Sequence, residues 1–101
     1  MAVLAIFTGI GITKPVYESL RREVAWETRL PPGLQLHTCG FDDKGNAHVA
    51  DVWESAEVMN DFVSTRLMPA MKKLGAPEPS VVVYPVHNLN VTAGIQKYLI
   101  E

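Results

Sequence analysis

The chain has 101 residues, of which 48% are hydrophobic and 20% charged, with a formal net charge of −2. Domains commonly run to about 100–150 residues, so a single core is expected and a second has no room. This composition excludes a disordered chain, the charge balance excludes a basic nucleic-acid surface, and no apolar run approaches the roughly 20 residues of a membrane span.

The N-terminus lacks the basic start and cleavage site of a signal peptide. Cys39 is the single cysteine, so no intrachain disulfide can form. A reduced, cytoplasmic setting is therefore expected.

Residues 2–8 (AVLAIFT) are apolar on both parities and predict a strand buried on both faces. Gly9-Ile10-Gly11 ends it. Thr13 is placed as an N-cap and Pro15 falls in the first turn of a helix of about 12–14 residues. Val16, Tyr17, Leu20 and Val24 form the helix's apolar face. Glu27 and Arg29, in the linker that follows, read as solvated charges. Pro31-Pro32-Gly33 closes that linker.

Residues 34–41 (LQLHTCGF) and 46–54 (NAHVADVWE) predict two strands joined by a hairpin at Asp42-Asp43-Lys44-Gly45-Asn46. Ser55 can cap a second helix, with Val58, Phe62, Leu67 and Met71 as its apolar stripe. Pro69 is expected to kink or restart it, and Gly75 to stop it. Residues 80–86 (SVVVYPV) read as a fourth strand. Residues 1–88 form one expected domain, and residues 89–101 an extension of undetermined structure.

The order is β-α-β-β-α-β, so the expected class is α+β: a ferredoxin-like domain with a four-stranded antiparallel sheet. Two helices cover one face only. Strands one and four are apolar on both parities, so the other face needs a cover. A second copy is the simplest, with two sheets packed about 10 Å apart. The alternatives are the C-terminal extension or another protein.

Hairpin register decides the chemistry. A type I turn followed by a left-handed Gly45 pairs Asp42 with Asn46, because only glycine adopts that conformation freely. Phe41 then faces Ala47, Cys39 faces Val49 and His37 faces Asp51, with Trp53 on the same side. Leu34, Leu36, Thr38, Gly40, His48, Ala50 and Val52 take the opposite side. An imidazole held by a carboxylate has a fixed tautomer and suits general acid/base work. The competing reading is a core hydrogen bond that only satisfies two polar groups. Cys39 is better explained as a small buried hydrophobe than as a nucleophile. The three histidines do not converge as a metal site.

Several stretches resemble the dimeric α+β barrel superfamily, in its antibiotic biosynthesis monooxygenase-like branch. The resemblance spans residues 3–88. It is carried by Asp51-Val52-Trp53-Glu54-Ser55, by Arg66-Leu67 with Pro69, by Leu36-His37, and by Tyr84-Pro85-Val86-His87-Asn88. It implies a homodimer with a pocket between sheet and helices in each subunit. Members include cofactor-independent monooxygenases, haem-degrading enzymes, isomerases and cyclases. Haem-degrading members carry a Trp and a His on helix two and an Asn on strand one. Residues 56–74 here contain neither Trp nor His, and strand one has no Asn, which argues against that chemistry.

The combined expectation is cofactor-independent monooxygenase-like (oxidoreductase) chemistry on a small hydrophobic or aromatic molecule, with no cofactor and no metal. His37 is the expected base, Asp51 its orienting partner and His87 a second acid/base group. Trp53, Tyr84, Phe62 and Arg66 are the expected substrate contacts. The alternatives are an isomerase or cyclase using the same base, and a non-catalytic ligand-binding or stress-related dimer.

Overall fold

A computed structural model describes residues 1–100. The strands are β1 (Val3–Gly9), β2 (Leu34–Phe41), β3 (Ala47–Trp53) and β4 (Ser80–Pro85). The α-helices are α1 (Lys14–Glu23), α2 (Ala56–Phe62) and α3 (Met68–Leu74). All strand pairs are antiparallel, in the order β2-β3-β1-β4. This is the ferredoxin-like arrangement that the chain order predicts.

The hairpin has the expected register. Gly45 sits at φ +83°, its N–H donates to Asp42 O at 3.0 Å, and Asp42 pairs with Asn46. The Asp42 carboxylate fixes the loop by accepting from the N–H groups of Lys44 and Asn46, both at 2.9 Å. Phe41 then faces Ala47, Cys39 faces Val49 and His37 faces Asp51. Further along, the register shifts between Leu34 and Leu36, so that Leu34 faces Trp53 while Leu36 faces Val52. An extra residue of this kind moves a side chain to the other face of the sheet. Leu34 therefore packs with the Trp53 cluster beneath the helices, a correction to the strict alternation that placed it opposite.

The first helix is shorter than its periodicity predicts, ten residues in place of 12–14. Ala25 stops it with φ +54°, its N–H donating to Arg22 O while that of Trp26 donates to Arg21 O. This pair of bonds satisfies the last carbonyls of a helix and normally has glycine at the left-handed position. Thr13 occupies the N-cap position, but its hydroxyl makes no capping bond.

Ser55 does cap α2, accepting from the Val58 N–H at 3.2 Å. A π-helical turn, Val63–Leu67, carries α2 into α3. Its widened bond runs from the Met68 N–H to Val63 O, and Pro69 follows in the first turn of α3, where its missing N–H costs little. Pro69 thus restarts the helix, and Gly75 ends it at φ +66°.

The core has two parts. Ile12, Leu20, Val24, Ala47, Ala70 and Met71 form one, under α1 and α3. Val3, Ala5, Trp53, Met59 and Phe62 form the other, under α2. Trp26 and Leu67 touch both.

The other sheet face carries Leu4, Ile6, Val82 and Tyr84, with Leu36 and Val52. Val82 is 48% exposed and Tyr84 51%. The 3-10 turn Ala93–Tyr98 leaves Leu89, Val91, Tyr98, Leu99 and Ile100 exposed, so the C-terminal extension does not cover this face.

Candidate active site

A cavity of about 90 Å³ opens where the two halves of the core meet. Its walls include Phe7 and Val49 from the sheet, Leu20 from α1 and Val24 just after it, and Phe62, Leu67 and Met71 from the α2–α3 arm. His37, Asp51 and Trp53 lie at its base on adjacent strands.

His37 Nδ1 is 2.6 Å from Asp51 Oδ1. The other carboxylate oxygen, Oδ2, accepts from the Trp53 indole N–H at 3.1 Å. Asp51 is 3% exposed, so these two bonds satisfy a carboxylate that burial would otherwise penalise heavily. Because Nδ1 faces the carboxylate, it carries the ring proton, and Nε2 of a neutral ring is left as an acceptor.

Nε2 does not point into empty space. It lies 2.7 Å from the Tyr17 hydroxyl, which donates to it when the ring is neutral. The Tyr17 and His37 rings stack with an interplanar angle of 8°. Trp26 covers the imidazole from another side, with centroids 4.3 Å apart. Burial pushes the Tyr17 phenol well above the ordinary tyrosine range, and the neighbouring Cys39 adds to the effect. Burial raises the Cys39 thiol as well, so Cys39 stays a thiol at neutral pH.

Sequence reasoning placed Tyr17 only on the apolar face of a helix and gave Trp26 no role. The signal for Tyr17 was a hydroxyl among otherwise apolar α1 positions. Trp26 gave none, because its placement depends on the turn at Ala25.

The structure brings together four of the expected site residues: His37, Asp51, Trp53 and Phe62 all line the cavity. It places three elsewhere. Tyr84 is opposite Leu4 on the uncovered face, because its parity along β4 points it away from the helices. His87 lies beyond β4 and is exposed. Arg66 belongs to the π-helical turn, and its Nη2 donates to Val24 O at 2.5 Å and Arg29 O at 2.6 Å. It ties the end of α1 to the linker, so its guanidinium is engaged by backbone carbonyls and does not line the cavity as a substrate contact. Glu27 is likewise engaged, accepting from Arg21 Nη2 at 2.7 Å. His48 lies on the open face and bonds Asp42 Oδ2 at 2.8 Å. Among the described residues no cluster of three metal-ligating side chains occurs, and no helix is long and apolar enough to cross a membrane.

Fold and site define a ferredoxin-like α+β domain with an apolar pocket beside a partly buried His37 held by the buried Asp51. Its fold is that of the antibiotic biosynthesis monooxygenase-like proteins. A proposed antibiotic biosynthesis monooxygenase from Deinococcus radiodurans superimposes with a TM-score of 0.58 at 17% identity, covering 92% of this chain and 100% of its own. SnoaB, a cofactor-independent oxygenase from Streptomyces nogalater, gives 0.59 at 20% identity, over 87% of this chain and 93% of its own. A hydroxynitrile lyase from Passiflora edulis gives 0.59 at 13%, over 89% and 97%. No protein-family model and no curated protein sequence matches the chain. Identities this low establish shared architecture; reaction has to be argued from the site.

Proposed function

We propose that this protein is a homodimeric, cofactor-independent enzyme that removes a proton from a small hydrophobic molecule held in the cavity. The observation that carries the reading is the 2.6 Å His37–Asp51 bond at the base of an apolar cavity. His37 is the proton acceptor. Asp51 fixes its tautomer and stabilises the imidazolium that forms, while apolar walls keep water from competing. A carbanion or enolate made this way is the species on which a cofactor-free oxygenase would act, and equally one that an isomerase or cyclase would use. The fold neighbours include both an oxygenase and a lyase, so proton removal is the step proposed here.

The dimer rests on the uncovered sheet face. Leu4, Ile6, Leu36, Val82 and Tyr84 make an apolar surface on one side of a four-stranded sheet. A contiguous surface of this kind marks an interface, and a second copy of the sheet is its simplest complement.

The cavity has room for about one ring, so cyclohexanone in D₂O is a suitable probe. Wild-type protein should accelerate deuteration beside the carbonyl, followed by NMR. His37→Ala should abolish the acceleration, and added imidazole should restore part of it, which a merely structural histidine would not allow. Wild-type exchange at the buffer rate, for cyclohexanone and for more acidic single-ring ketones, contradicts the enzyme reading and leaves a ligand-binding dimer.

A further inference from the structure

We propose that Tyr17 is the group that meets the ligand, and that it does so as an acceptor, taking either the O–H of a single apolar ring with one hydroxyl or the acidic C–H beside a ring carbonyl. The inference rests on the acid/base reading above and names the atom through which that chemistry passes.

The polar atoms around the cavity that could take a proton are almost all engaged; the Trp26 indole N–H has no partner among the described residues, but it can only donate. Asp51 spends both oxygens, on His37 and on Trp53. His37 spends both nitrogens, on Asp51 and on Tyr17. The Arg21 guanidinium is held by Glu18 and Glu27. Tyr17 differs, because its hydroxyl donates one bond and retains an oxygen that can accept. Among these groups it is the hydroxyl that can receive a proton from a bound molecule. His37 therefore reaches a ligand through Tyr17 and acts on it from behind.

The transfer balances without any oxidant or co-reactant. The C–H bond beside the substrate carbonyl breaks, and its electron pair stays on the substrate as an enolate. That proton goes to Tyr17 Oη while the proton Tyr17 carried passes to His37 Nε2. The imidazolium then sits between Tyr17 and the Asp51 carboxylate. Its new N–H donates to Tyr17 Oη, which frees the tyrosine O–H to donate to the enolate oxygen. One group thus accepts before the transfer and donates after it. The raised Tyr17 phenol agrees with this order, since the hydroxyl begins each cycle protonated. Remaining wall positions such as Phe7, Val49 and Met71 offer only apolar contact, which suits a ring with a single polar substituent.

The test uses binding and exchange together. Binding of 4-methylphenol and toluene is measured on the wild type and on Tyr17→Phe, with folding checked by circular dichroism. One neutral hydrogen bond should make the phenol bind about five-fold tighter than toluene to the wild type. Tyr17→Phe should bind the two equally and should lose cyclohexanone deuteration. A phenol preference that survives in Tyr17→Phe overturns the proposal, as does deuteration at the wild-type rate in that variant. Equal binding of phenol and toluene by the wild type also overturns it, and that arm needs no variant. If the wild type deuterates nothing, the enzyme reading fails alone, and the binding comparison still decides whether Tyr17 meets the ligand.

Discussion

At the scale of single residues, the site is an arrangement of donors and acceptors with little slack. Removing the His37 ring leaves Asp51 buried with only the Trp53 N–H as a partner. His37→Ala should therefore lose about 1–3 kcal/mol of stability besides its exchange activity, readable by urea denaturation. A loss under about 0.5 kcal/mol would mean that water reaches the carboxylate freely. Tyr17 makes a separate contribution at alkaline pH. Its phenol titrates higher folded than unfolded, so the stabilisation is complete below the unfolded value near 10 and is lost as pH rises toward the folded one. Stability should fall more steeply above pH about 10 in the wild type than in Tyr17→Phe, measured by thermal unfolding across that range. The His37–Asp51 pairing was legible beforehand, because Gly45 admits one comfortable turn and the turn sets the register. Tyr17's part was not legible. Spacing shows which residues of a helix face inward but not which side chain on the sheet they will meet.

At the scale of elements, two local conformations hold the site in place. Ala25 keeps φ +54° at the end of α1, and the next residue is the Trp26 that covers His37. Left-handed backbone costs a non-glycine residue roughly 1 kcal/mol, so Ala25→Gly should raise stability by about 0.5–1 kcal/mol. The substitution should also loosen Trp26, visible as a red-shifted or quenched indole emission. Gly33 is the opposite case. It sits at φ +84° where a Cβ would lie 2.5 Å from Val58 Cγ2, while its carbonyl accepts from the Glu54 N–H at 2.8 Å. Gly33→Ala should cost more than about 1 kcal/mol, from backbone strain and the displaced Val58 together. Sequence punctuation was informative where one residue type monopolises a conformation, as at Gly45 and Gly75. It gave no signal at Ala25, where an alanine takes the left-handed helix-end position that glycine usually holds. It also missed the extra residue in β2, because Leu34 and Leu36 look equivalent until the sheet is closed against Trp53.

At the scale of the molecule, the helices cover one face of β1, β2 and β3, while the other face and both sides of the edge strand β4 stay exposed. Val82 is 48% exposed and opposite Ile6, so its replacement by glutamate should leave the single chain folded. Val82→Glu should convert a dimer mass in light scattering to a monomer mass with an unchanged circular dichroism spectrum. A wild-type monomer at micromolar concentration would contradict the dimer outright. The uncovered face was legible as an apolar parity on strands one and four. What covers it was not, since the sequence of one chain names no partner.

The central claim is that Asp51, His37 and Tyr17 form one directed chain of hydrogen bonds ending at the cavity. ¹⁵N NMR of the histidine rings at neutral pH tests it most directly. The proposed proton route requires His37 as the Nδ1–H tautomer, with Nε2 an unprotonated acceptor whose resonance shifts when Tyr17 becomes phenylalanine. An Nε2–H tautomer, or an Nε2 indifferent to Tyr17→Phe, would contradict the chain and with it the route by which a proton leaves the ligand.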